Sequence, residues 1–284
     1  MRTFSIAGLQ LELANGENLK AIADQVHSVK HRFPWLDMVV LSELACHGVN
    51  TAHAEMLPGA SEAAFCRLAR DAGVWLVAGS LFEREGARIF NTAPVINPLG
   101  DVVARYRKMY PFYPYEEGVS GGKGFCVFDV PQVGRIGLSI CYDIWFPEIA
   151  RTLVWMGAEA IINPSLTNTV DRDVELALAR STAASNQCYV INVNGAGRLG
   201  WGHSIACGPG GEILYQAGSG HEVFALELDF DAVARVRERG WNGLGQVLKS
   251  FRDHPIVFPP YQPDARSAAL DGLGPLVKPD KERS

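Results

Sequence analysis

Linkers, repeats and blocks of like charge are missing from the interior of this 284-residue chain. Such segments mark domain boundaries, so their absence favours one large domain over two. With 48% hydrophobic and 20% charged residues, the composition is ordinary for a globular protein with a substantial core. We expect one domain over residues 1–250 and a Pro- and Gly-rich C-terminal tail, 251–284, that packs on a surface or forms an arm at a subunit interface.

Basic residues are not in excess, because the formal net charge is −5 and the lysines and arginines are scattered. This excludes the electrostatic footprint of a nucleic-acid-binding protein and favours a small molecule as the partner. The sequence also has no run of about 18 apolar residues, and Met1 to Gln10 alternates like a strand instead of forming a leader. We therefore expect no membrane partner and a cytoplasmic location.

Paired cysteines are missing as well, since the chain contains no CxxC motif. A disulfide framework or a zinc cluster is therefore not expected, and most thiols should be buried as small hydrophobic groups. His27 and His31 are four residues apart on a predicted helix, but no carboxylate spacing accompanies them, so we expect a solvated surface there. The cysteines are Cys46, Cys66, Cys126, Cys141, Cys188 and Cys207.

Apolar runs alternate with amphipathic stretches, and turn-rich hairpins connect some of the strands. The pattern predicts a single strand from Val74 to Phe82, a helix capped by Ser61, and a meander from His203 to Asp229. Because hairpins interrupt the alternation, an α/β fold with two mixed sheets packed face to face and helices outside is expected. Strands are predicted at 3–11, 38–41, 74–82, 89–96, 102–106, 126–130, 135–140, 160–162 and 188–193, and helices at 18–33, 61–72, 147–156, 173–185 and 231–239.

Three chemically active residues follow predicted strands, where side chains of α/β proteins gather into active sites. They are Glu43, Lys108 and Cys141. A thiol with a pKa of about 8.5 needs a base to become a nucleophile at neutral pH, and a buried glutamate serves as that base. A lysine ammonium and the backbone N–H of Tyr142 are suitable donors to the oxyanion that forms when sulfur attacks a carbonyl carbon. The three residues together favour acyl transfer through a covalent intermediate.

The segments around these residues resemble the signatures of the nitrilase superfamily of carbon–nitrogen hydrolases. The motifs are Ser42-Glu43-Leu44, Arg107-Lys108-Met109-Tyr110-Pro111 and Cys141-Tyr142-Asp143, the last followed by Phe146-Pro147-Glu148. The resemblance continues in the same order through residues 163–165, 180–186 and 202–204 to about Asp229, so it covers most of the chain. Three motifs at compatible separations are far more specific than any one of them.

The resemblance implies a four-layer α-β-β-α sandwich, a catalytic triad of Glu43, Lys108 and Cys141, and a thioester intermediate. It also implies no metal or other cofactor, and a homo-oligomer of undetermined size. Glu116 matches a second glutamate that helps position substrate and lysine in this family, although its neighbour Glu117 is an alternative for that role.

Cys-Tyr-Asp followed by Phe-Pro-Glu is similar to the amide-hydrolysing branches of the superfamily, which implies an amidase acting on a small, non-peptide amide. Hydrolysis of N-carbamoyl compounds or nitriles on the same triad remains an alternative, and so does a catalytically silent binding or scaffold protein. Ligand pockets are largely apolar, and aromatic residues near the motifs are candidates for the pocket wall. These are Phe112, Tyr113, Tyr115, Tyr142 and Trp145.

Two other nucleophiles are weaker candidates. Residues 118–122 match the GxSxG pattern of serine hydrolases around Ser120, but that motif requires a strand-to-helix turn, which the surrounding loop sequence does not predict. Cys46 and His47 are adjacent in the sequence, and adjacent side chains rarely face each other. We therefore expect Ser120→Ala to keep the activity and Cys141→Ala to lose it.

Overall fold

The computed structural model describes residues 1–254 and 256–278. The strands are β1 Thr3–Gln10, β2 Met38–Leu41, β3 Trp75–Val77, β4 Leu81–Glu85, β5 Arg88–Ile96, β6 Val102–Arg107, β7 Cys126–Val130, β8 Gly134–Leu138, β9 Ala160–Ser165, β10 Tyr189–Asn194, β11 Ile205–Cys207, β12 Ile213–Gln216 and β13 Glu222–Asp229. The α-helices are α1 Leu19–Arg32, α2 Ala60–Ala72, α3 Pro147–Trp155, α4 Asp171–Asn186, α5 Phe230–Arg239, α6 Val247–Asp253 and α7 Ala268–Asp271.

The strands form two mixed sheets. The first has the order β13-β1-β2-β3-β5-β4, with β6 also paired to β5, and the second has the order β12-β11-β10-β9-β8-β7. In the first sheet β1, β2 and β3 run parallel while β13 is antiparallel to β1. In the second, β8, β9 and β10 run parallel. Parallel strands bring their carboxyl ends to one edge of each sheet, where the motif residues follow.

The apolar side chains divide into layers. Ile6 and Met38 of the first sheet pack against Leu138 and Ile162 of the second, which forms the core between the sheets. The opposite face of the first sheet is covered by α1 and α2, and that of the second sheet by α3 and α4. The alternation of inward and outward residues along each strand produces this arrangement. The fold is therefore the predicted α-β-β-α sandwich.

Three predicted details are wrong. The predicted strand from Val74 to Phe82 is divided into β3 and β4 by Gly79, whose φ is +69° and whose Cβ, if present, would lie 1.8 Å from the carbonyl oxygen of Ser42. The helix α2 begins at Ala60 with Gly59 as its N-cap, so Ser61 lies inside the first turn and does not cap the helix. The strands of the predicted meander belong to both sheets, because β13 leaves the second sheet and pairs with β1.

The C-terminal region packs on one side of the sandwich. Helix α6 runs across residue 250, where the sequence predicts the domain boundary. Side chains of the described part of the predicted tail are largely exposed, and residues 255 and 279–284 of that tail lie outside the described residues. No helix among the described residues has both the length and the apolar composition needed to cross a bilayer.

Candidate active site

Three strand ends bring the predicted nucleophile, base and lysine to one cavity of about 400 Å³. Glu43 follows β2, Lys108 follows β6 directly, and Cys141 follows β8 by three residues. The two sheets meet here, because the backbone N–H of Glu43 donates to the carbonyl of Ser165 at the end of β9 (3.2 Å). The structure thus brings together side chains that are 65 and 33 residues apart in the sequence, as the chain numbering shows.

Lys108 lies between two carboxylates. Its ammonium donates to Glu43 Oε1 at 2.8 Å and to Glu116 Oε2 at 2.6 Å. The side chains of Lys108 and Glu43 are only 1% and 4% exposed. Asn91 Nδ2 also donates to Glu43 Oε1 at 2.8 Å, so two donors fix this carboxylate. We call Glu43, Lys108 and Glu116 the lysine cluster, which carries one more negative than positive charge when both carboxylates are ionised.

A tight loop holds Glu116 against the lysine. The backbone N–H of Glu116 donates to the carbonyl of Phe112 (2.9 Å), and the N–H of Phe112 donates back to the Glu116 carboxylate. Glu117 is exposed and makes no ion pair with another described residue. Of the two glutamates that the sequence left as alternatives, Glu116 is therefore the one that contacts Lys108.

A strained turn presents Cys141 to the cavity. Cys141 begins a 3₁₀ turn, Cys141–Trp145, with φ +45°, a left-handed conformation that is uncommon for residues other than glycine. Asp143 fixes this turn, because its Oδ2 accepts from the N–H of Ile140 (3.0 Å) and from the hydroxyl of Tyr106 (2.7 Å). Tyr106 lies on β6, so the same carboxylate connects the cysteine turn to the strand that directly precedes Lys108.

Burial and nearby charge shift the pKa values of the site. Burial raises the pKa of Glu43, against the lowering effect of Lys108. Burial and then the charge of Glu43 raise the pKa of Cys141 well above its ordinary value, while Lys108 and a hydrogen bond from the backbone of Leu166 oppose this rise. For Lys108, burial lowers the pKa, but the surrounding anionic groups outweigh it and the pKa lies well above its usual value. Both directions favour the neutral thiol of Cys141 and the charged ammonium of Lys108.

A second buried cluster contacts the sulfur through Thr167. Thr167 Oγ1 lies 3.7 Å from Cys141 Sγ and donates to Glu175 Oε1 at 2.9 Å. Arg172 Nη1 donates to Glu175 Oε2 at 2.8 Å, and its Nη2 donates to Asn192 Oδ1 at 2.6 Å. We call Thr167, Arg172 and Glu175 the arginine cluster. All three side chains are buried, and the two charges balance.

The sequence motifs reveal neither the arginine cluster nor Asn91, and they include Asp143 without indicating that it fixes the cysteine turn. The sequence does contain a signal for the arginine cluster. Polar Thr167 follows the buried strand β9, as the motif residues follow their strands. Arg172 and Glu175 are spaced i, i+3 on α4, so their side chains lie on one face of that helix. Which way that helix face points depends on how α4 packs on the sheet, and local sequence does not fix this.

Most of the predicted aromatic residues line the cavity. Phe112, Tyr115, Tyr142 and Trp145 are on its wall, and the rings of Phe112 and Tyr142 pack edge to face with centroids 4.9 Å apart. Tyr113 is not among the residues that line the cavity, and its hydroxyl donates to the carbonyl of Val119. The structure therefore does not place this predicted residue on the cavity wall.

The other candidate nucleophiles lie away from the cavity. Ser120 is in the loop between β6 and β7, where its N–H donates to the carbonyl of Ile89, and it is not on a strand-to-helix turn. Cys46 is completely buried, which raises its pKa to about 12. The ring of His47 interacts with the hydroxyl of Ser61 at 3.0 Å. Within residues 1–254 and 256–278, no group of three or more His, Cys, Asp and Glu side chains is arranged to hold a metal ion.

Known proteins share this sequence pattern and fold. The model of the carbon-nitrogen hydrolase family matches residues 6–238. The omega-amidase NIT2-A of Xenopus laevis is 31% identical over 202 residues, which are 66% of this chain and 73% of the frog protein. Nit3 of Saccharomyces cerevisiae, a member of branch 10 of the nitrilase superfamily, superposes with a TM-score of 0.78 at 29% identity over 84% of this chain and 94% of the yeast chain.

A carbon-nitrogen hydrolase from Helicobacter pylori G27 superposes with a TM-score of 0.76 at 26% identity, over 89% of this chain and 98% of the bacterial one. The family match covers more than half of the chain, and both structures have the fold described above. This confirms the resemblance found in the sequence motifs. The chain belongs to the carbon-nitrogen hydrolase family of the nitrilase superfamily.

Proposed function

We propose that this protein is an amidase that hydrolyses a small, non-peptide amide to an acid and ammonia or an amine, through a thioester on Cys141. The observation that carries the proposal is the convergence of Cys141, Glu43 and Lys108 on one cavity, with the ammonium 2.8 Å from the Glu43 carboxylate. Similarity to the frog protein supports this proposal, since that relative is an omega-amidase.

The charge of the lysine cluster supports Glu43 as the proton acceptor. Loss of the thiol proton to solvent would add a second uncompensated negative charge to a buried site, which is costly. Transfer of that proton from Cys141 to Glu43 leaves the total charge unchanged. The raised pKa of Glu43, which results from burial, makes the carboxylate a better base than an exposed glutamate.

In the acylation step the sulfur forms a bond to the carbonyl carbon, and the carbonyl oxygen becomes an oxyanion. Lys108 and the backbone N–H of Tyr142 donate to this oxygen, and loss of one such donor typically raises the barrier by about 3–4 kcal/mol. The C–N bond then breaks, and protonated Glu43 gives its proton to the departing nitrogen. Glu116 also accepts from the ammonium and helps to hold it in place.

In the deacylation step water attacks the thioester carbon and gives a proton to Glu43. The C–S bond breaks, the acid leaves, and the thiol is regenerated with the proton returned from Glu43. The same donors stabilise the second oxyanion. No metal or organic cofactor takes part in either step of this proposal.

The test is hydrolysis of a panel of amides, N-carbamoyl compounds and nitriles, with product analysis and intact mass after brief exposure. We expect an acyl adduct on Cys141 and ammonia release from amides, and loss of both in Cys141→Ala. Ser120→Ala is the matched control and should keep full activity, since Ser120 lies outside the cavity. An active Cys141→Ala variant contradicts the proposal, as does the absence of selective labelling of Cys141 by a thiol reagent.

We also propose that the enzyme works in the cytoplasm as a homo-oligomer, with the tail from residue 251 at a subunit contact. Large apolar side chains of the described tail, such as Leu270, Leu273 and Leu276, are 67–76% exposed, which is typical of surfaces that contact a partner. Sedimentation tests whether the tail forms a subunit contact. It compares the full chain with a variant in which these leucines are changed to serine. A full chain that sediments as a monomer contradicts it.

A further inference from the structure

Asn91 is an amide on β5 that contacts every member of the lysine cluster. Its side chain is fully buried and is not on the wall of the cavity, so it does not meet a substrate. Its Nδ2 donates to Glu43 Oε1 at 2.8 Å and lies 3.5 Å from Glu116 Oε1. Its backbone carbonyl accepts from the N–H of Lys108 at 2.8 Å. A change at this one residue therefore reaches the lysine and both carboxylates.

The carboxylates determine the orientation of this amide. Asn91 Oδ1 is buried and has no hydrogen-bond partner among the described residues, which is an unfavourable arrangement for an acceptor. A rotation of the amide by 180° would place Oδ1 against the Glu43 carboxylate, where two acceptors repel each other. The amide thus leaves its own oxygen unpaired in order to direct its donor at Glu43. A buried polar group kept in this way indicates a role in the chemistry of the site.

The two oxygens of Glu43 differ in their contacts. Lys108 and Asn91 both donate to Oε1, each at 2.8 Å, whereas no nitrogen within residues 1–254 and 256–278 donates to Oε2. Burial raises the pKa of Glu43, and a hydrogen bond from Cys141 is among the effects that oppose this rise, so the thiol is within reach of the carboxylate. Two donors on one oxygen fix the rotation of the carboxylate and leave Oε2 available for the thiol proton.

We propose that Asn91 is a positioning residue, which holds Glu43 so that Oε2 is the oxygen that accepts the proton of Cys141. In this transfer the S–H bond breaks and an O–H bond forms on Oε2, while Lys108 and Asn91 keep their hydrogen bonds to Oε1. The inference rests on the proposed function, since it takes Glu43 as the base. It adds a residue outside the cavity to the proposed mechanism and assigns the proton transfer to one of the two carboxylate oxygens.

The pH dependence of Asn91→Leu tests this role. A hydrogen bond donated to a carboxylate favours its ionised form, so loss of the donor raises the pKa of Glu43. We therefore expect the acidic limb of kcat/KM to move to higher pH. At the optimum, kcat should fall by about tenfold or more because the base is less well placed, and KM should change little because Asn91 is not on the cavity wall. A defect of packing alone would lower kcat without moving the limb.

Two further variants separate this role from a general effect on the strand. Asn91→Ala removes the same donor without a branched side chain and should move the limb in the same direction. The matched control is Thr92→Val, because Thr92 is the next residue of β5, is fully buried and donates to Glu83 Oε2 at 2.6 Å, outside the cavity wall. Its limb and kcat should remain those of the wild type. Equal limbs in the wild type and both Asn91 variants overturn the assignment, as does an equal shift in Thr92→Val.

A second measurement is independent of amide hydrolysis. Infrared difference spectra during a pH titration follow the C=O stretching band of protonated carboxyl groups, and the band that is absent in Glu43→Gln belongs to Glu43. We expect its midpoint to lie at higher pH in Asn91→Leu than in the wild type, and to be unchanged in Thr92→Val. An unchanged midpoint in Asn91→Leu overturns the assignment. A raised midpoint in a protein whose wild type hydrolyses no amide overturns the proposed function alone and supports the control of Glu43 by Asn91.

Discussion

The two buried clusters that border Cys141 differ in their balance of charge. The lysine cluster has two carboxylates for one ammonium, and the arginine cluster has one carboxylate for one guanidinium. Both are nearly excluded from water, and both have a polar atom near the sulfur. Both clusters near the nucleophile therefore combine carboxylates with a basic side chain. They differ in whether the carboxylate charge is balanced.

The difference indicates different roles. In the arginine cluster, Glu175 accepts from Arg172 and Thr167, so its charge is neutralised and its oxygens are occupied. In the lysine cluster one ammonium serves two carboxylates, and Glu43 retains a basic oxygen beside the thiol. A balanced pair positions its neighbours, whereas an excess of negative charge can take up a proton. We accordingly assign proton transfer to the lysine cluster and positioning of Cys141 to the arginine cluster.

The largest expected difference is between Glu43→Gln and Glu175→Gln. General-base catalysis contributes about 10²–10⁴-fold, so we expect kcat to fall by about 10³-fold or more in Glu43→Gln. In Glu175→Gln an amide oxygen can still accept from Thr167 or Arg172, and the loss should be about tenfold or less. Steady-state kinetics with circular dichroism to verify folding measures both. Equal losses in the two variants contradict the assigned division of roles.

The sequence was informative where structure depends on local pattern. Glu43 and Cys141 follow strands that are apolar and buried towards their ends, and Lys108 follows the amphipathic strand β6. The sheet topology brings these three strand ends to one edge. The layers were also predictable from local pattern. Helices and strands have different hydrophobic periods, and hairpins indicate antiparallel neighbours within an otherwise parallel sheet. The catalytic roles of these residues stay predictions until the variants are measured.

Details that depend on distant parts of the chain were not predictable. The strand break at Gly79 results from close packing of its Cα against Ser42, which is 37 residues earlier in the numbering. The pairing of β13 with β1 joins the two ends of the domain, and no local pattern specifies that partner. Tyr113 and Thr167 show the same limit, since the direction of a loop side chain is set by its tertiary contacts.

The second prediction concerns the stability of the arginine cluster. Arg172→Met leaves Glu175 buried without its cation, and breaking a buried pair in this way typically costs about 3–5 kcal/mol of unfolding free energy. In the double variant Arg172→Met/Glu175→Leu both charges are gone, so a large part of the loss should be recovered. Denaturant unfolding measures these changes.

The matched control is Arg135→Met, which breaks a solvent-exposed pair with Asp129 of the same 2.8 Å distance. We expect its unfolding free energy to stay nearly unchanged, since exposed pairs contribute little. If the double variant is no more stable than Arg172→Met, the pair does not act as a balanced unit, and the comparison between the clusters fails.

The smallest expected effect is on the titration of the nucleophile. Burial raises the pKa of Cys141 most, and the negative charges of Glu43 and, to a lesser degree, Glu175 raise it further. Removing either charge favours the thiolate, so the rate of alkylation by iodoacetamide should reach half its maximum at a lower pH than in the wild type. The shift should be larger for Glu43→Gln than for Glu175→Gln, because Arg172 already neutralises Glu175.

Cys66, which is half-buried, provides an internal control within the same samples, because neither variant changes a charge beside it. Its alkylation profile, read from a separate peptide, should be the same in all three proteins. A larger shift in Glu175→Gln would mean that Arg172 does not screen Glu175 from the sulfur. The two clusters would then exert comparable electrostatic control over Cys141, and the excess carboxylate of the lysine cluster would not explain why one side moves protons and the other does not.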